Sequence, residues 1–156
     1  PATAAHGVEE GNDPGLLDAV SGCTCSTPHA AEAMHLTGAD DPVRAARALA
    51  ERVPVVVVTC GGDGIVGVDS RTGEEVHVPA VNINPVNTTG AGDAALAGLA
   101  WCWGWQVPLA RKLDVAALVG AIVTSRVHGT AGPLTPEDVL ARVPRAPERL
   151  RYLPEL

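Results

Sequence analysis

Asn87-Thr88-Thr89-Gly90-Ala91-Gly92-Asp93 runs directly into Ala94-Ala95-Leu96-Ala97-Gly98, and the reading of this stretch decides the fold. Two glycines flanking a small residue at the head of an apolar helix let the backbone N–H groups of Gly90, Ala91 and Gly92 turn into one space, where the helix dipole also favours negative charge. That is a cradle for an anion. A carboxylate on its rim would repel a simple anionic guest, so Asp93 makes more sense as a base beside a group that becomes negative. The plainer alternative is a tight turn followed by an ordinary first-turn carboxylate, and spacing alone leaves both open.

Upstream, Pro54 to Thr59 is a continuous β-branched run, the pattern of a strand buried on both faces of a parallel sheet. Glycines 61, 62 and 64 follow. Then come two short runs, Ile65 to Asp69 and Glu75 to Val78, joined by Ser70-Arg71-Thr72-Gly73, which predicts a hairpin. Farther out, Leu16 to Cys25 predicts a short helix and a buried strand. Thr27-Pro28 predicts a helix start with Thr27 as N-cap and a stop at Gly38, and Asp41-Pro42 starts a second helix to about Arg52. Downstream, the glycine turn opens a helix to about Trp103, Pro108 begins another to about Val127, and Thr135-Pro136-Glu137-Asp138 caps a last short one. Strands alternating with helices indicate a layered α/β fold.

Composition narrows the class. The 156 residues carry 11 Lys+Arg against 18 Asp+Glu, a formal net charge of −7. That length predicts one domain burying roughly two-thirds of its unfolded surface. With 46% hydrophobic and 19% charged residues, a packed globule is expected, and with no Phe its core must come from Ala, Val and Leu. No basic stripe is present to follow a phosphate backbone, so nucleic acid is not an expected partner. The longest apolar runs, 54–58 and 116–123, are too short to cross a bilayer, and no charged segment precedes an apolar stretch near Pro1. A membrane is therefore not expected, and the chain reads as cytoplasmic. Cys23, Cys25, Cys60 and Cys102 are irregularly placed and read as reduced structural thiols, not as a disulfide frame or zinc site. Trp101, Trp103 and Trp105 read as core and interface filler.

Asn87 to Asp93, with the small-residue helix after it, resembles the second signature of the ribokinase/PfkB-like carbohydrate kinases, roughly Asp-Thr-Thr-Gly-Ala-Gly-Asp. The likeness extends from about Thr27 to Val143. Thr59-Cys60-Gly61-Gly62-Asp63-Gly64 resembles that family's nucleotide loop, and the hairpin after it matches in order. The resemblance implies a ribokinase-like three-layer α/β/α fold, of which residues 1–156 form a single partial domain. An irregular arm covers about 1–15, the nucleotide-binding and catalytic half covers 16–143, and a tail covers 144–156. The implied activity is ATP-dependent phosphorylation of a hydroxyl on a sugar or nucleoside. Asp93 matches the family's catalytic base, Gly90, Ala91 and Gly92 its anion hole, and Thr59, Gly61, Gly62 and Gly64 its nucleotide contacts. That division suits phosphoryl transfer, where positioning and charge stabilisation supply most of the catalysis.

Further roles follow from the same resemblance. His29-Ala30-Ala31-Glu32 lies where the family shows Asn-x-x-Glu, implying that Glu32 organises Mg2+ and phosphate, with His29 on the same helical face. His in place of Asn introduces a group that titrates near neutrality. A monovalent-cation site, potassium in this family, is implied at Asn87, Thr89, Thr124, Val127 and Gly129, largely through backbone carbonyls. Asn87 stands where Asp is usual and removes a negative charge from that site. The same Asn, with Gly62-Asp63-Gly64 and the helix Ala97 to Trp103, is similar to the pseudouridine-kinase branch, implying a ribosyl acceptor.

The resemblance covers only the C-terminal half of such a kinase. The N-terminal half, which carries a lid and grips the acceptor, has no counterpart in these residues. The expectation is a kinase half that forms a homo-oligomer or pairs with a lid half, because exposed sheet edges and apolar faces need cover. The alternative is a catalytically inactive nucleotide-binding remnant or regulatory subunit. Asp93 favours the kinase, since a pure nucleotide binder has little use for a base at that rim.

Overall fold

The structure, a computed structural model, describes residues 14–127, 132–145 and 147–152. The expected arm lies outside the described residues except for its last two positions. Four strands, β1 (Cys25–Ser26), β2 (Val55–Thr59), β3 (Ile65–Asp69) and β4 (Glu74–Val78), form one sheet in that order. β1 pairs parallel with β2, while β2, β3 and β4 form an antiparallel meander, with Val57 opposite Gly67 and Gly67 opposite Val76. The β3–β4 hairpin is as the sequence predicts. The wholly parallel surroundings inferred for Pro54 to Thr59 are not, because a strand buried on both faces looks the same whichever way its neighbours run.

Alternation along β2 divides the core into two layers, as a period of two requires. Val56 and Val58 face one apolar cluster with Ala33, Ala45, Ala46 and Leu49. The helices on that side are α1 (Pro14–Val20), α2 (Ala30–Thr37) and α3 (Pro42–Ala50). Val55 and Val57 face the other cluster, with Leu99, Leu113, Leu118 and Ile122 from α4 (Ala91–Trp101) and α5 (Leu109–Thr124). The result is an α/β/α sandwich. A last helix, α6 (Pro136–Leu140), starts at the expected Thr135 cap, whose backbone amide, bonded to Asp138, holds that carboxyl below its ordinary range.

Four boundaries differ from the sequence reading. α2 begins after His29, not after Thr27, because Pro28 keeps an extended path in which its carbonyl accepts the Thr59 N–H at 3.1 Å. The strand expected before Cys25 shrinks to two half-buried residues, since its parallel register with β2 runs only from Cys25 to Ser26. α4 stops at Trp101 and α5 at Thr124. Trp101 and Trp105 meet edge to face with ring centroids 5.2 Å apart, and Lys112 donates to the Trp103 carbonyl at 2.7 Å. All three tryptophans pack against the main core. Within the segment expected as a tail, Leu150 is fully buried in that same core.

α4 and α5 cross closely. A Cβ on Gly98 would come within 2.9 Å of the Val119 side chain, and one on Gly120 within 3.3 Å of the Ala91 carbonyl. Among the described residues, no helix is long and apolar enough to cross a membrane.

The N-terminus of α5 is capped from outside the helix. Pro108 has no hydrogen-bonding side chain to offer, and Glu74 of β4 supplies the acceptors, taking the Leu109 N–H at 3.0 Å and the Ala110 N–H at 3.1 Å. Charged acceptors on first-turn amides also complement the helix dipole. Glu74→Ala is therefore expected to lower stability by about 1–2 kcal/mol in urea denaturation, with Glu74→Gln recovering part of the loss.

Candidate functional site

The site lies beyond the end of β2. Thr59 leads into Cys60 and a single 3-10 turn, Gly61–Asp63, closed by the Cys60 N–H on the Gly64 carbonyl at 2.8 Å. His77 of β4 holds the turn, its Nε2–H donating to the Asp63 carbonyl at 2.7 Å. Gly64 is required here. Its φ is +98°, and an added Cβ would overlap the carbonyl oxygen of Val78 and crowd Pro79 and Ala80. The loop thus packs backbone against backbone on the segment that follows β4.

Opposite this loop stands the tip of α4. Gly90 caps it in the left-handed region at φ +77°, and no side chain closes that end. The Ala91 N–H turns back to the Thr88 carbonyl at 3.2 Å. Asn87 forms the approach: its Oδ1 accepts the Thr89 N–H at 2.9 Å, and its Nδ2 donates to the Val127 carbonyl at 3.3 Å. The Thr124 carbonyl, at the end of α5, accepts from the N–H groups of both Val86 and Asn87 at 2.9 and 3.1 Å. The glycine turn therefore hangs from the C-terminus of α5.

Between these walls lies a cavity of about 640 Å³. Thr59, Gly61, Gly62 and Gly64 line one side, residues 80–83 another, and Thr88, Ala91 and Gly92 the helix tip. Small residues of α5, Ala116, Ala117, Gly120 and Ala121, form the floor, and His29 closes the rim. A second, more apolar groove of about 430 Å³ runs along the other side of α4, bounded by Gly98, Trp101, Leu134 and Val139, and Asp93 stands at this one. Asp93 thus lines the second groove and not the cavity.

Of the residues singled out in the sequence, Thr59, Gly61, Gly62, Gly64, Ala91, Gly92 and His29 share the cavity, with Gly90 and Asp93 on the same helix tip. Glu32 is elsewhere engaged, its Oε2 accepting the His29 N–H at 2.8 Å while His29 Nδ1 accepts the Ala31 N–H at 3.3 Å, so the two form a capping box. Asn87, Thr89, Thr124 and Val127 converge at the end of α5. Gly129 lies outside the described residues. The sequence reading missed residues 80–83, which carry no motif, and the α5 floor, whose small residues look like ordinary helix packing.

The thiols of Cys25, Cys60 and Cys102 are not poised as nucleophiles. Burial pushes the Cys25 and Cys102 thiols up to about 11 and raises Cys60 as well, so all three stay protonated at neutral pH. Among the described residues, no group of three or more His, Cys, Asp or Glu side chains could hold a metal by itself. Mg2+ would fit here only by arriving on a phosphate, the usual case for an ion that keeps several waters and needs one or two carboxylates.

The sequence pattern of the pfkB family carbohydrate kinase matches residues 9–137. The bifunctional protein HldE of Trichlorobacter lovleyi is 31% identical over 130 residues, which cover 78% of this chain and 26% of that protein. The pseudouridine kinase of Escherichia coli is 33% identical over 91 residues, 58% of this chain and 29% of the other. Among solved structures, fructokinase from Vibrio cholerae, bound to fructose, ADP and calcium, superposes with a TM-score of 0.70 at 25% identity, covering 81% of this chain and 42% of that one. The chain thus spans about a quarter of the length of the curated relatives it matches.

The loop geometry separates two neighbouring glycines. Gly64→Ala is expected to lose at least about 2 kcal/mol of stability, from left-handed strain and backbone overlap. Gly62→Ala meets nothing within 4 Å and is expected to fall within about 0.5 kcal/mol of the parent in the same denaturation measurement.

Proposed function

The chain belongs to the pfkB family of carbohydrate kinases, with the ribokinase-like fold, and from that premise we propose that it carries the nucleotide-binding and catalytic half of an ATP-dependent kinase acting on a sugar or nucleoside hydroxyl. The observation that carries this reading is the placing of the α4 tip between two hollows. On one side is a cavity roomy enough for a nucleotide, rimmed by Thr59 and the glycine turn; on the other stands Asp93.

In this reading the triphosphate lies along the glycine turn, with its terminal group at the tip of α4. The acceptor oxygen attacks the γ-phosphorus, the bond from that phosphorus to the bridging oxygen breaks, ADP departs, and Asp93 takes the hydroxyl proton. First-turn amides of Gly90, Ala91 and Gly92 face the charge gathering on the transferred group, so Ala91 would exchange its Thr88 partner for phosphate. Magnesium, carried in on the nucleotide, would supply positive charge to offset that of the phosphates. Glu32 would reach it through water, as its carboxylate already serves the α2 cap. A potassium ion at the Asn87 turn would compete with Asn87 Nδ2 for the Val127 carbonyl.

The acceptor in this reading is a ribosyl compound, pseudouridine among the candidates, and it is gripped by a lid half or by a second copy of the chain. The setting is the cytoplasm.

Transfer of the γ-phosphate from ATP to a panel of ribosides, pseudouridine included, tests this. Asp93→Asn is expected to lower turnover by about 10²–10⁴-fold while the affinity for Mg–ATP in calorimetry stays within about twofold. Near-full turnover in Asp93→Asn would remove Asp93 as the base. Nucleotide binding without transfer to any acceptor by the parent chain would favour the inactive binding remnant.

A further inference from the structure

Beyond the cavity itself, one side chain from the far end of the chain reaches its walls. Residues 80–83 line the cavity, yet they belong to a stretch with no regular structure between β4 and the Asn87 turn. Among the described residues, the hydrogen bonds of residues 79–85 reduce to one: Arg149 Nη2 donates to the Pro79 carbonyl at 2.6 Å. The same guanidinium donates through Nε to Asp114 of α5 at 2.8 Å. Asp114 is 4% exposed, and it stands two residues before Ala116, where the cavity floor begins.

We propose that Arg149 is a positioning residue for the cavity, fixing the 80–83 wall, and through it the glycine loop, to α5. The link to the loop is steric. Val78, Pro79 and Ala80 are the residues against which Gly64 packs without room for a Cβ, so Pro79 cannot move towards the loop without displacing it, and a wall held in place limits where the loop can sit. Arg149 is itself held in place. Leu150 beside it is fully buried, Arg111 Nη1 donates to the Arg149 carbonyl at 2.9 Å, and Tyr152 Oη donates to the Arg111 carbonyl at 2.7 Å, with the Arg111 guanidinium 4.3 Å from the Tyr152 ring centroid. The planar fork suits the task because its donors diverge: one satisfies a buried carboxylate, the other a carbonyl on a different element. A lysine concentrates its donors on one atom, and the buried Asp114 carboxylate has first claim on it. Arg149 does not line the cavity, so it acts on a bound ligand only through the wall.

The assignment borrows only the identity of its ligand from the nucleotide reading, and the test separates the two. Backbone 15N order parameters of the ligand-free chain and calorimetric titration with Mg–ADP are measured on the parent, Arg149→Lys, Arg149→Met and, as a destabilised control, Asp41→Ala. Asp41 caps α3 on the opposite face of the sheet. In Arg149→Lys the order parameters of Val81, Asn82 and Ile83 are expected to fall below about 0.6 while α3 stays rigid. The Mg–ADP dissociation constant is expected to rise about tenfold, the weight of one charge-assisted bond. Arg149→Met fills the same space without donors and should behave alike, whereas Asp41→Ala should keep the parent's affinity. Unchanged order parameters in a folded Arg149→Lys or Arg149→Met overturn the proposal, whatever the affinity does. Loosened 80–83 residues in a chain whose parent form does not bind Mg–ADP support the positioning role and overturn the nucleotide reading instead.

Discussion

The site depends on how closely α4 can approach α5. Gly98 lies against Ala116 and Val119, and Gly120 against Ala91 and Ala95, with no room at either point for one more carbon without movement. That closeness sets the first turn of α4 over the last turns of α5, where the Thr124 carbonyl can take the amides of Val86 and Asn87. Ala116 and Gly120, which let the helices touch, also line the cavity, and with Ala117 and Ala121 they leave the volume above its floor empty. Packing and site therefore have one cause. The hollow is open to one side and of the size that small-molecule clefts have.

The sheet supplies the other wall by a different route. β2 is buried on both faces and so cannot shift in register without turning Val55 and Val57 into the wrong layer. Its end at Thr59 is fixed for that reason, and the glycine turn that follows inherits a fixed origin. Pro28 and His77 then tie the turn from both sides, one through the Thr59 amide and one through the Asp63 carbonyl. A loop of glycines is thereby made definite without bulky side chains, which would fill the space it surrounds.

What could be read from the sequence divides along the same lines. β2, the hairpin, the α3 cap at Asp41 and the head of α4 are legible because their causes are local: β-branched runs, a capping carboxylate, a glycine pair. The start of α2 is displaced by a partner 31 residues away, since Pro28 pairs with Thr59. β1 is short because pairing, not hydrophobicity, limits it. Within the site, the motif residues around Gly61 and Gly92 are legible as motifs, but the 80–83 wall is not, because nothing in Ala80-Val81-Asn82-Ile83 distinguishes it from any loop. Its fixed position comes from Asp114 and Arg149, 35 residues apart in sequence. Glu32 shows the converse: its spacing from His29 reads equally well as a ligand pair and as a helix cap, and the cap is what the geometry contains.

The charge balance bears on how such a site could take a polyanion. A chain of net charge −7 has few cations to lend, and the cavity lining contains no Lys or Arg. The attraction must come from amides and a helix dipole, which are fixed in direction and need no counter-carboxylate to stay folded. That arrangement also tolerates Asp93 within one turn of the anion, provided the carboxylate faces away from it. Asp93 borders the second groove and not the cavity. An in-line transfer puts the attacking and departing oxygens on opposite sides of phosphorus, so a base and a nucleotide must approach from opposite directions. In the proposed reading, a helix tip with amides at its end and hollows on either side would meet that requirement, and a base on the nucleotide side would not.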